Sequence, residues 1–192
     1  MANYTKDEIF KMAKENDFGF YLKRKQSQDF CFVANKCLNC FLKKEIGEKE
    51  GLIKDIEGNI LGKHHGLHFY TIGQRKGINL PNGPYFVADV DTESNVLIVT
   101  KEEKDLLSKE AFLSPYHFIS GDKELKKEMK VQAKIRSQHI LAKATLIPVD
   151  SDKIKISFND PQRAITPGQF VVFYQDDVCL GSGKILTNKN NE

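Results

Sequence analysis

The chain has 192 residues, 40% hydrophobic and 29% charged, and its 29 Lys plus Arg against 26 Asp plus Glu leave a formal charge of +3. That length buries a real core in one or two domains, and so small a net charge with plentiful Ile, Leu, Val and Phe excludes a disordered chain. Four Cys, 13 Gly and 6 Pro exclude disulfide-scaffold and collagen-like compositions, and no apolar stretch approaches the roughly 18 residues that span a bilayer.

The opening residues are polar and acidic, unlike a secretory or transit signal. The expectation is a cytoplasmic protein with no membrane partner and with reduced thiols. Thr5-Lys6-Asp7-Glu8 has capping-box spacing, in which hydroxyl and carboxylate satisfy free N–H groups at a helix start. Ile9, Met12 and Ala13 follow on one helical face, and Asn16, Asp17 and Gly19 end the run. Residues 18–22 read as a strand or extended segment. A second short helix is expected after Asn35, carrying Leu38, Phe41 and Leu42 and stopping at Gly47.

From about residue 50 the texture changes. Short β-type runs recur at 51–56, 60–61, 67–72, 85–90, 96–100, 131–136, 142–149, 153–158, 170–174 and 178–185, separated by turn residues. The run 153–158 alternates cleanly and predicts a half-buried antiparallel strand. Many short strands at this spacing point to barrels or sandwiches rather than a parallel βαβ sheet. The charged stretch 120–130 separates two β groups.

Four segments could carry chemistry. Cys31 follows the cations Lys23, Arg24 and Lys25, which favour a thiolate, but it also sits between Phe30 and Phe32 as a small buried residue would. Cys37 and Cys40 form a CxxC pair that could pack in a helix, form a redox disulfide, or bind zinc with His64 and either His65 or His68. Gly73 and Gly77 flank Gln74-Arg75-Lys76, a turn that could meet a phosphate but lacks Walker spacing. Thr166-Pro167-Gly168-Gln169 has the composition of a type II turn. A second basic cluster, Lys123, Lys126, Lys127, Lys130, Lys134 and Arg136, reads either as a solvated face or as an RNA footprint.

Four motifs occur in order: residues 27–33 (SQDFCFV), 62–77 (GKHHGLHFYTIGQRKG), 161–169 (PQRAITPGQ) and 171–174 (VVFY) with 177–181 (DVCLG). Together they resemble the tRNA-specific 2-thiouridylases over nearly the whole chain. The resemblance implies a mainly β chain with a short α-helical N-terminal piece, then a small central β domain and an antiparallel C-terminal β-barrel. Residues 1–46 would be the end of an adenylating α/β catalytic domain, 47–118 the central domain and 119–192 the tRNA-docking barrel.

Members of that family thiolate C2 of the wobble uridine. They adenylate its oxygen with ATP and Mg²⁺ and deliver sulfur from a cysteine persulfide. The resemblance makes Cys31 the persulfide carrier and Arg136, Ser137 and Gln169 tRNA contacts. It also implies tRNA, a sulfur-donor protein and an ATP-binding domain as partners. The S-G-G-x-D-S pyrophosphatase loop of the family does not occur in these residues. The chain alone is therefore expected to bind no cofactor or metal and not to adenylate tRNA. Two alternatives stay open at this point: a non-catalytic tRNA-binding β module, and a zinc-ribbon adaptor built on Cys37 and Cys40.

Overall fold

The computed structural model describes residues 4–23, 37–121, 124–137 and 139–187, so Cys31 lies outside the described residues. Contacts divide the chain into two units, Met1–Gly47 and Glu48–Glu192.

The first unit holds α1 (Lys6–Glu15) and α2 (Leu38–Glu45). The capping box forms as expected: Thr5 N–H donates to Glu8 Oε2 at 2.7 Å, and Glu8 N–H donates to Thr5 Oγ1 at 3.4 Å. Residues 19–23 form a 3-10 turn, Gly19–Lys23, not the expected strand. Asp17 takes φ +60° and the Phe18 N–H bonds back to Ala13 O at 2.8 Å, so the chain keeps curling out of α1. A strand also needs a ladder partner, and no described strand pairs with these residues. Helix α2 ends at Gly47, whose φ of +86° closes a bond from its N–H to Lys43 O. Neither helix contains a buried residue.

The second unit begins with four strands: β1 (Gly51–Asp55), β2 (Ile60–His64), β3 (Phe86–Asp91) and β4 (Val96–Thr100). They form an open mixed sheet in the order β2-β1-β4-β3, with β1 and β4 parallel. Ile53, Val87, Leu97 and Val99, each 0% exposed, make its core with Ile78. The expected strand at 67–72 is instead a short 3-10 turn, Leu67–Phe69. Tyr70 N–H bonds back to Leu67 O, while the Leu67 and Tyr70 side chains pack onto the sheet core. These apolar residues cover the sheet without joining it.

Six strands follow: β5 (Leu107–Phe118), β6 (Met129–Lys134), β7 (Ala142–Pro148), β8 (Ile154–Arg163), β9 (Phe170–Gln175) and β10 (Val178–Ile185). They close into an antiparallel barrel in the order β10-β5-β8-β7-β6-β9. The alternation at 153–158 puts Ile154, Ile156 and Phe158 inside, beside Leu113, Leu146, Val171 and Phe173. Each such side chain contributes about 1.5–3 kcal/mol by leaving water.

Strand β5 is absent from the sequence expectation, and the boundary placed at 118 cuts it away from the barrel. Lys109, Glu110 and Pro115 disguise it, although Ala111, Leu113 and Phe118 face the core. It pairs with both β8 and β10. The passage from sheet to barrel therefore lies at the 3-10 turn Glu103–Leu106, ahead of β5.

Candidate site at the sheet–barrel seam

Two of the sequence motifs, about ninety residues apart in the chain, meet where the sheet abuts the barrel. The turn at 71–77 is stitched to the start of β3: Gly73 N–H donates to Val87 O at 2.8 Å, and Val87 N–H donates to Gln74 O at 2.9 Å. Its Gly73 has φ +83°, and a Cβ there would lie 2.6 Å from the Cβ of Ala164. Only glycine fits so close an approach in that conformation. From the barrel side, Thr166-Pro167-Gly168-Gln169 forms the expected turn. Gln169 N–H donates to Thr166 O at 3.2 Å, and Gly168 takes φ +84°.

Arg136, just beyond β6, ties these pieces together. Its Nη2 donates to Ile72 O of the sheet turn at 3.3 Å, to Ala164 O at 3.2 Å and to Thr166 Oγ1 at 3.0 Å. Its Nε donates to Gln169 Oε1 at 3.3 Å. A planar fork of donors suits so many acceptors at once, where a lysine presents one compact ammonium. Burial and the nearby Arg163 hold the Arg136 guanidinium below its ordinary pKa, though arginine stays charged in proteins. Arg163 lies with its guanidinium 5.5 Å from the Phe86 ring and 3.8 Å from the Glu103 carboxylate. His139 is held below its usual value by burial, then by Arg136 and Arg163. At the seam the charges of Arg136 and Arg163 thus oppose one another, with Arg163 also facing the Glu103 carboxylate.

Two of the three expected contact residues, Arg136 and Gln169, meet here. Arg136 is half-buried and bonded to Gln169, and Ser137 is exposed beside it. The structure uses Arg136 first as a tie within the fold, which the sequence reading did not anticipate. It also adds Arg163, Thr166 and His139. Arg163 and Thr166 stand inside the quoted motif 161–169, but nothing in the sequence shows that they face residue 72.

The other candidate residues separate. Cys37 and Cys40 are bonded to each other, so the expectation of reduced thiols fails for this pair. Their sulfurs are then not available to zinc, and no group of three or more His, Cys, Asp or Glu that could hold a metal exists among the described residues. His64 is 0% exposed on β2, with Nε2 3.2 Å from Asn95 O and its ring edge-on to Tyr70, so it belongs to the sheet core. His68 stacks on Phe69. Cys179 keeps its thiol on β10.

Two protein-family models match the chain: the tRNA methyl transferase PRC-barrel domain over residues 39–101 and the aminomethyltransferase beta-barrel domain over residues 108–185. The first covers α2 and the sheet, and the second covers the barrel from its first strand. The tRNA-specific 2-thiouridylase MnmA of Halothermothrix orenii is 43% identical over 98% of this chain and 52% of its own length. MnmA 1 of Caldanaerobacter subterraneus is 44% identical over 96% of this chain and 51% of its own, and MnmA of Acetivibrio thermocellus 41% over 96% and 52%. By sequence, the chain is similar to tRNA-specific 2-thiouridylases over nearly all of its own length.

The chain spans about half the length of the curated 2-thiouridylases it matches. Its described residues do not fit the ATP and Mg²⁺ of that family. The turn at Gly73–Gly77 turns its polar groups inward: Gln74 Oε1 accepts from Thr71 N–H at 3.1 Å, and Gln74 Nε2 donates to Lys76 O at 2.8 Å. A phosphate cradle leaves its N–H groups open toward the ligand instead.

Proposed function

We propose that this chain is the sulfur-carrying and tRNA-docking half of a tRNA 2-thiouridylase, working with an ATP-binding domain that adenylates the uridine. The residues up to 46 belong, on this reading, with that catalytic domain. Cys31 receives sulfur from a donor protein as a persulfide and passes it to C2 of the wobble uridine. The barrel holds the tRNA through the seam at Arg136, Ser137 and Gln169.

The observation that supports this reading is the bond between Arg136 and Gln169 at the seam, with the exposed Ser137 next to Arg136 in the chain. Their roles there divide by chemistry. Arg136 fixes the turn that carries Gln169 and supplies positive charge. The Ser137 hydroxyl can donate to or accept from a phosphate or ribose, although it cannot stack on a base. Gln169 gives its oxygen to Arg136 and keeps its amide N–H groups for a ligand.

The test is tRNA binding by the full chain across a salt series. Phosphate contacts give an affinity that falls linearly with salt on logarithmic axes, by roughly 0.7–0.9 per contact. Gln169→Glu retains an acceptor for Arg136 but sets a carboxylate against the RNA, so the fold should hold while affinity drops about tenfold, or 1.4 kcal/mol. Affinity indifferent to both salt and Gln169→Glu contradicts the docking surface. Thiolation restored by a separate ATP-binding domain, and lost in Cys31→Ser, distinguishes the sulfur carrier from a barrel that only binds tRNA.

A further inference from the structure

Cys37 and Cys40 straddle the start of α2. Cys37 is the N-cap residue, and its sulfur accepts a hydrogen bond from the Cys40 N–H at 3.1 Å. The two sulfurs are joined, and the residues differ in exposure: Cys40 is exposed, whereas Cys37 is half-buried. We propose that this pair is a dithiol–disulfide exchange site that takes an external protein dithiol of the CxxC type as its substrate. This goes beyond the reading of Cys31 as sulfur carrier and stands without it.

The geometry sets the direction of exchange. An incoming thiolate attacks the sulfur of Cys40, the more exposed residue of the pair, forms a bond to it and breaks the Cys37–Cys40 bond. The electron pair leaves on Cys37 Sγ. There the thiolate is held by the Cys40 N–H and by the positive end of the α2 dipole, and a better stabilised leaving thiolate departs faster. The second thiol of the external dithiol then attacks the mixed disulfide and expels Cys40 as a thiolate, which takes up a proton. The external dithiol ends oxidised to its disulfide, and the chain ends with two thiols. Attack in the opposite sense would have to reach the sulfur of the less exposed residue and expel the thiolate that lacks the N-cap bond.

The experiment uses the oxidised full chain carrying Cys31→Ser and Cys179→Ser, so that the pair holds its only cysteines. The probe is a small CxxC dithiol protein whose second cysteine is replaced by Ser, which arrests exchange at the mixed disulfide. The expected result is a one-to-one covalent adduct that peptide mapping places on Cys40, favoured about tenfold over Cys37. With the intact dithiol, both cysteines should become open to alkylation. No adduct, or an adduct mainly on Cys37, overturns the proposal. So does a pair whose thiols remain fully alkylatable after treatment with oxidised glutathione. If the double variant does not fold, the same mapping on the unsubstituted chain gives the same decision.

Discussion

Arg136 is a cation whose hydrogen bonds are largely spent within the protein. Its four acceptors include the two carbonyls of Ile72 and Ala164, which lie on opposite sides of the seam. Arg136→Lys keeps the charge but not the fork, so the second unit should lose about 1–3 kcal/mol of stability, read as a lower denaturation midpoint. An unchanged midpoint would show that the tie is not needed. Gly73→Ala acts on the same seam through shape. Its Cβ would collide with that of Ala164 at a positive φ, and a cost of about 1–3 kcal/mol is expected in the same denaturation experiment. His64 gives a pH signature. Burial holds its pKa below the ordinary imidazole value, so the unfolded chain binds the proton more readily. Its contribution is complete above the unfolded value of 6.5 and is lost as pH falls from there toward the lower folded value. The slope is at most about 1.4 kcal/mol per pH unit. His139 has the same sign, so the His64 share is the part of the slope that disappears in His64→Phe.

At the scale of elements, the barrel rests on alternation. Phe173 on β9 is 0% exposed, and its ring lies 5.8 Å from that of Phe118 on β5. Phe173→Ala should cost about 3–5 kcal/mol and lower the unfolding midpoint, whereas Phe170→Ala, on the exposed face of the same strand, should change it little. Strands of this kind were legible in the sequence because period-two alternation reports burial directly. The capping box before α1 and the type II turn at Thr166 were legible too, since each needs only neighbours a few residues apart. Strand β5 was not, because its outward Lys109 and Glu110 and its Pro115 break the apolar pattern while only a few positions face the core. Residues 67–72 misled for the opposite reason. They are apolar enough for a strand, but their side chains cover the sheet from outside. The seam was half legible: the motifs were visible, and their meeting was not, since no local pattern encodes a contact between residues 72 and 136. The pairing of Cys37 with Cys40 was readable as one of three options, and the spacing alone does not choose among them.

Across the whole molecule, the open sheet and the closed barrel correspond to the two matched family domains, and the seam between them brings Arg136 near Arg163 in a chain whose overall balance is only +3. On the proposed function, docking falls to the seam, chemistry to Cys31 and adenylation to a separate ATP-binding domain, so the chain alone should form no 2-thiouridine from tRNA and ATP. The most direct test of the central claim is the intact mass of the purified chain after incubation with a cysteine desulfurase and cysteine, followed by peptide mapping with Cys31→Ser as the control. One added sulfur is expected, on Cys31, and it should be lost in the variant. No added sulfur, or sulfur scattered over Cys37, Cys40 and Cys179, would contradict it.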